Sequence, residues 1–260
     1  MRADKVVYLF PHMTPLFSII TVCYNSADEL ERTIASIDSQ TFGLYEHVII
    51  DGASKDRTPA VLESAKKDKR TIVSEPDNGI YDAMNKGLGR AKGEYVIFMN
   101  AGDRFHENET LQYYADTIAA NDSPGMVYGQ TILVDAAGRT VGPRHLSAPE
   151  NLTMKSFASG MLVCHQAMAV LRRIAPLYNI RYRFSADFDW SIQCLQHSRR
   201  NVYIDRVVCD YLSEGVTTAN RRKSLIERLR IMCFYYGTMP TLWRHVGFVG
   251  RSLRRRFKKH

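Results

Sequence analysis

Two kinds of hydrophobic pattern alternate along the first hundred residues. Residues 16–22, Leu-Phe-Ser-Ile-Ile-Thr-Val, are a nearly continuous β-branched run, the pattern of a parallel strand buried on both faces. In the stretch that follows, Leu30, Ile34 and Ile37 fall on one helical face, and Ser26 with Glu29 three residues later is a capping-box signature. The succession then repeats. A strand over 47–50 ends in Asp51-Gly52, a helix is predicted over 57–68, and a strand over 71–74 runs into the turn 76–79. A helix over 80–91 and a strand over 95–99 complete the series. Strands alternating with helices predict βαβ units and a parallel sheet. Beyond residue 125 the pattern is less regular. Met126–Val134 and residues 140–141 flank a turn at 135–138 and predict a hairpin. Helices are expected over 165–174, 185–197 and 224–236, and a strand over 202–212. The expectation is an α/β fold whose mostly parallel sheet becomes mixed in its second half.

Composition narrows the class. At 260 residues, 45% hydrophobic and 24% charged, the chain is an ordinary globular protein large enough to bury a core without disulfide or metal staples. No run of about 18 apolar residues occurs, and the N-terminal apolar patch, residues 6–10, is broken by Pro11 and lacks a signal-peptide cleavage site. A cytoplasmic protein is expected. The five cysteines are odd in number and lack CxxC spacing, so they read as buried apolar residues in a reducing compartment. The net charge of +8 is unevenly placed: from residue 221 onward there are twelve Lys/Arg and one acid, while the first 220 residues hold 23 basic and 26 acidic groups. A nucleic-acid-binding domain carries its basic patch on the folded body, so nucleic acid is not expected as a partner.

In an open parallel sheet, ligands bind at the carboxyl ends of strands. Three polar clusters stand there: Tyr24-Asn25, residues 51–56 and residues 100–103. Each alone is an ordinary turn or cap; three at one edge favour a polar-ligand site. There is no GxxxxGK[ST], and no GxSxG. The glycine cluster 87–93 misses GxGxxG by one position and follows a helix where the dinucleotide motif would follow a strand, which excludes NAD.

The motifs together resemble glycosyltransferase family 2 with its GT-A fold. They are Ser18-Ile-Ile-Thr-Val-Cys-Tyr-Asn25, Val48-Ile-Ile-Asp51-Gly-Ala-Ser-Lys-Asp56, Ser74-Glu-Pro-Asp-Asn-Gly-Ile-Tyr-Asp82-Ala-Met-Asn-Lys86 and Ala91 through Asp103, in family order. Cys164-His165-Gln166 and Ser185-Ala-Asp187-Phe-Asp189 are similar to a bacterial branch that builds exopolysaccharide, such as colanic acid, or O-antigen units. The resemblance covers about residues 16–218. It divides the chain into an N-terminal extension (1–15), a catalytic domain (16–220) whose halves 16–105 and 106–220 bind donor and acceptor, and a basic helical region (221–260).

The resemblance implies an inverting, metal-dependent transfer from a nucleotide-diphospho-sugar, a UDP-sugar first and a GDP-sugar second, to a saccharide acceptor, lipid-linked in many family members. The donor base would lie against Thr21 and Tyr24, with Asp51 accepting a hydrogen bond from it; Tyr24 reads equally as a core ring. Asp82 and Lys86, four apart, read either as ribose and phosphate contacts or as an i,i+4 ion pair. The family's Asp-x-Asp-Asp is here Asn100-Ala-Gly-Asp103. One carboxylate, Asp103, remains for Mg²⁺ or Mn²⁺, which suffices when the diphosphate supplies other oxygens, and Asn100 stands at a ribose contact. The departure motivates an alternative, a non-catalytic nucleotide-sugar-binding protein. Asp187 matches the family's catalytic base, with Asp189 as second candidate; its other reading is a first-turn acid that complements the helix dipole. His165 and Gln166 would shape the acceptor pocket, or are structural. In the tail, Leu242, Val246, Val249, Leu253 and Phe257 make an apolar helical stripe among basic residues. That pattern suits an anionic membrane surface or a helix packed on the domain.

Overall fold

The computed structural model describes residues 14–213 and 220–244. The first half follows the predicted alternation: β1 (Phe17–Cys23), α1 (Ala27–Asp38), β2 (Tyr45–Asp51), α2 (Thr58–Ser64), β3 (Arg70–Ser74), α3 (Ile80–Leu88) and β4 (Tyr95–Phe98). Then come β5 (Arg104–Phe105), α4 (Thr110–Ala120), the hairpin β6 (Met126–Val134) and β7 (Thr140–Pro143), β8 (Met168–Leu171), α5 (Ala186–His197), β9 (Asn201–Leu212) and α6 (Arg221–Tyr236). One sheet contains all nine described strands. Its order is β3-β2-β1-β4-β8-β6-β9-β5, with β7 paired to β6. The first four strands are parallel; β8 is antiparallel to both β4 and β6. The strand β1, apolar along its length, is buried at every position. Leu30, Ile34 and Ile37 of α1 are buried on the opposite side from its charged face, each contributing about 1.5–3 kcal/mol. Helix α3 lies so close to β1 that a Cβ on Gly87 would stand 2.4 Å from a methyl carbon of Ile20.

Three expectations are corrected. Residues 165–174 are not a helix: 3₁₀ turns at His165–Ala167 and Arg172–Ile174 bracket β8, whose Met168–Leu171 is buried between β4 and β6. Pairing on both sides overrides the local pattern. The capping box at Ser26 does not form, and the Ser26 hydroxyl is buried without a partner, because its backbone N–H is taken by Thr58 Oγ1 at 3.1 Å. Helix α2 ends at Ser64, well short of residue 68. Helix α4 (Thr110–Ala120), for which no expectation was drawn, buries Leu111, Tyr114, Ala115 and Ile118. The C-terminal amphipathic stripe is described only at its start: residues 238–244 are helical, and Val246, Val249, Leu253 and Phe257 lie outside the described residues. Among the described residues no helix is long and apolar enough to cross a membrane.

Candidate active site

The carboxyl edge of β1, β2 and β4 is tied together by short polar contacts. Asn25, in a left-handed conformation (φ 47°), accepts the Lys55 N–H on its Oδ1 at 2.8 Å, while its own N–H donates to Ser54 Oγ at 2.8 Å. Ala53 is also left-handed (φ 61°), a strained state for a residue with a Cβ. Asp51 is fully buried. Its carboxylate accepts hydrogen bonds from the Ser54 N–H and hydroxyl and, at 2.6 Å, from the Ser74 hydroxyl. Asp51 therefore braces the loop. Gly52 brings the backbone close to two groups: a Cβ there would meet Asp77 Oδ2 at 2.6 Å and Tyr24 Cδ2 at 3.2 Å. Tyr24 is 62% exposed, so it is a surface ring and not a core ring. Tyr24, Gly52 and Asp77 form a rim on which a flat base can stack.

Thr21 is fully buried within β1 and its hydroxyl pairs with His47 Nε2 at 2.9 Å. Arg70 donates to His47 Nδ1 at 3.0 Å and to Asp38 at 2.6 Å, so Thr21 belongs to a polar relay inside the sheet layer. Burial, then the Arg70 and Lys69 charges, hold His47 well below the ordinary histidine pKa, and the ring is neutral. Asp82 and Lys86 take the ion-pair arrangement, 3.9 Å apart, with Lys86 also 3.1 Å from Glu75 and donating to the Pro76 carbonyl at 2.7 Å. Asp82 accepts the Asn78 N–H at 2.9 Å. Both side chains serve the 75–79 turn that carries Asp77.

The second cluster comes from the far half of the chain. Because β8 runs antiparallel to β4, its beginning lies at the carboxyl edge of β4, and the residues just before it, His165 and Gln166, arrive beside Asp103. Asp103 is buried. Its Oδ1 accepts the Leu212 N–H at 3.0 Å and its Oδ2 the Gln166 amide at 2.8 Å. Burial pushes its carboxyl up to about 6, against these two donors and the nearby His165 ring. Thr33 of α1 pins the 100–103 loop, accepting from the Gly102 N–H at 3.0 Å and donating to the Asp103 carbonyl at 2.8 Å. Gln166, itself buried, thus clamps Asp103.

Asp187 sits in the first turn of α5. Tyr81 donates to its Oδ1 at 3.1 Å, and His165 Nδ1 lies 3.7 Å from its Oδ2. That separation exceeds a hydrogen bond, and both nitrogens of the His165 ring, 5% exposed, lack partners. Burial alone would raise the Asp187 carboxyl; His165, with Arg228 and Tyr81, outweighs it and holds the group below its ordinary range. Asp187 is therefore a buried carboxylate held in its ionised form. Asp189 differs: it is buried, accepts from Tyr235 at 2.9 Å and Gln193 at 2.8 Å, and is raised by burial.

Oxygen ligands of this kind suit Mg²⁺ or Mn²⁺. The Asn100 Oδ1 is a buried acceptor without a partner, next in the loop to Asp103. Among the described residues no three His, Cys, Asp or Glu side chains form a metal site. Asn100 and Asp103 place two oxygen donors of that chemistry on one loop. Thr33, Asp77, Tyr81 and Arg228 carry no mark of function in the sequence; only Tyr81 and Asp77 fall inside a motif, and the fold is what aims all four. Two cavities of about 410 and 370 Å³, lined by residues such as Asn121 and Arg200, open at the opposite edge, beside the beginnings of β6 and β9.

The family model of Glycosyl transferase family 2 matches residues 18–175. A PGL/p-HBAD biosynthesis glycosyltransferase of Mycobacterium bovis is 35% identical over 224 residues, 83% of this chain and 84% of its own length. Among solved structures, Staphylococcus aureus TarS 1–349 in complex with UDP-GlcNAc superposes with a TM-score of 0.66 at 18% identity, over 84% of this chain and 65% of that one. The mannosyltransferase PcManGT of Pyrobaculum calidifontis, in complex with GDP-Man and Mn²⁺, gives 0.62 at 19% identity, over 84% and 64%. The chain spans less than two thirds of either solved chain, and at these identities the likeness shows the fold, which is GT-A.

Proposed function

The chain belongs to glycosyltransferase family 2, and from that premise we propose that it moves a sugar from a nucleotide-diphospho-sugar to a saccharide acceptor with inversion at the anomeric carbon, in bacterial surface-polysaccharide synthesis. The observation that carries this reading is the meeting of Asp103, His165 and Asp187 at the edge where Tyr24 and Asp77 form an open rim. Three elements distant in sequence supply one acidic site.

In the proposed reaction the donor's base stacks at Tyr24, and Asp77 faces its polar groups. A UDP-sugar is the first choice; TarS, which shares the fold, is the neighbour in complex with UDP-GlcNAc. A GDP-sugar is the second. Asp187 accepts the proton of the acceptor hydroxyl as its oxygen attacks the anomeric carbon. The bond from that carbon to the diphosphate breaks on the opposite side, and the electron pair leaves with the nucleoside diphosphate. Direct displacement of this kind inverts the centre, and one base suffices. Tyr81 fixes the Asp187 carboxylate through Oδ1, and the His165 ring stands beside Oδ2 at 3.7 Å. Asp103 and Asn100 would hold a divalent cation, which supplies Lewis-acid stabilisation of the leaving diphosphate. The acceptor is proposed to be lipid-linked and reached from the cytoplasmic face of the membrane.

The test is a thermal-shift screen of UDP-, GDP- and dTDP-sugars with Mn²⁺, followed by the anomeric configuration of the product by NMR. A donor at a hundred times its dissociation constant adds about 2.7 kcal/mol of stability. No shift with any donor, or retention in the product, overturns the reading.

A further inference from the structure

Helix α6 reaches the site through one face. Ser224 and Ser185 hydroxyls pair at 2.9 Å, and Glu227 accepts the N–H groups of Arg183 at 2.9 Å and Phe184 at 2.8 Å, just ahead of α5. Tyr235 donates to Asp189. Positions 224, 227 and 228 share a face of a 3.6-residue helix, so Arg228 follows Ser224 and Glu227 toward the α5 first turn that carries Asp187. Its positive charge acts on both Asp187 and Tyr81. Yet Arg228 makes no hydrogen bond and no ion pair among the described residues, and its Nε is buried without a partner. Arg228 is half-buried as a residue. The His165 ring, also without a partner, lies 3.7 Å from Asp187. Half-buried guanidinium groups are ordinarily paired, and the planar fork of two terminal N–H groups matches phosphate oxygens bidentately.

We infer that Arg228 is a phosphate-binding residue whose two terminal nitrogens grip an oxyanion of a substrate phosphate beside Asp187. The inference rests on the transferase reading above, which supplies two sources: the donor's diphosphate, or a phosphate on the acceptor. The bland alternative is that Arg228 only balances the charge of Asp187.

The experiment is calorimetric titration of the full chain and of Arg228→Gln and Arg228→Lys with inorganic pyrophosphate, then with UDP and GDP, melting temperature being recorded for each variant. Arg228→Gln is expected to weaken pyrophosphate binding about tenfold to a hundredfold, and Arg228→Lys to recover part of it, since a lysine keeps the charge but not the fork. Arg228→Lys, which keeps the charge, carries the test if Arg228→Gln does not fold. Competition between pyrophosphate and a nucleoside diphosphate identifies the donor as the source. Pyrophosphate binding that persists at saturating nucleoside diphosphate identifies the acceptor. If neither UDP nor GDP binds but pyrophosphate does so through Arg228, the phosphate site stands and the donor reading fails. If pyrophosphate does not bind the native chain, or binds both variants as it binds the native chain, the inference is wrong and Arg228 is a charge balance only.

Discussion

Two carboxylates of α5, two residues apart, are given different tasks by their surroundings. Asp187 has one firm partner, Tyr81, and faces the unsatisfied His165 ring; Asp189 is saturated by Tyr235 and Gln193. Asp187→Asn preserves shape and removes basicity, so turnover should fall by about 10² to 10⁴ with nucleoside-diphosphate affinity little changed. Asp189→Asn should instead lower the melting temperature and leave turnover within about tenfold. Turnover at saturating acceptor, with donor affinity by calorimetry, separates the two; a dead Asp189→Asn beside an active Asp187→Asn moves the base by two residues. His47 supports a different test. Its folded-state pKa is depressed by burial and by Arg70 and Lys69, so below about pH 6.5 the unfolded chain takes up a proton that the folded chain refuses. Stability present above that pH is then lost at about 1.4 kcal/mol per unit as pH falls. His47→Asn keeps an acceptor for Arg70 and does not titrate. It should be less stable at pH 7 and show a shallower decline between pH 6.5 and 5 in chemical denaturation. Parallel declines for the two proteins would remove His47 as the cause.

Elements were legible in the sequence in proportion to how locally they are determined. The strands β1, β2 and β4 are buried on both faces, which forces continuous apolar runs that nothing else in the chain imitates. By contrast β8, four residues of Met-Ala-Val-Leu, is a strand only because β4 and β6 hydrogen-bond its two sides, and β5 is two residues held by β9. The site divides the same way. Tyr24, Asp103 and Asp187 stand in motifs, while the roles of Thr33, Gln166 and Arg228 exist only once the second half folds back. Thr21 and Asp51 show the converse: motif residues that brace the site from inside. Helix α6 belongs with the long-range elements, since its Glu227 supplies acceptors to two N–H groups before α5. Hydrogen bonds to a charged acceptor contribute about 1.5–3 kcal/mol each at most. Glu227→Ala should therefore lower stability by about 1–3 kcal/mol and lower turnover too, because the same turn carries Asp187. Glu227→Gln, which retains one acceptor, should lie between. Lost stability with untouched turnover would show that α6 does not set the position of Asp187.

At the scale of the molecule, charge is uneven along the sequence: the first 220 residues are mildly acidic and residues 221–260 strongly basic. Of the twelve large hydrophobic side chains most exposed among the described residues, Leu225, Ile226, Phe234, Met239, Leu242 and Trp243 all lie in the C-terminal helical segments, Phe234 at 77% and Trp243 at 74% exposure. Beyond them, residues 245–260 carry six Lys/Arg and no acid. Apolar side chains beside unbalanced positive charge suit the interface of an anionic bilayer, where each basic residue contributes about 1 kcal/mol until salt screens it. Deletion of residues 245–260 removes those six charges and leaves α6 with its contacts to α5 and to the Met154 carbonyl through Tyr236. The shortened protein is therefore expected to keep its melting temperature and to lose most of its sedimentation with vesicles containing phosphatidylglycerol, as the full chain should in high salt. Phe234→Ser with Trp243→Ser should weaken sedimentation without changing its salt dependence, since these residues supply area and not charge. Equal sedimentation of full-length and shortened proteins would separate the basic region from membranes, and unfolding of the shortened protein would assign it to the packing of the domain.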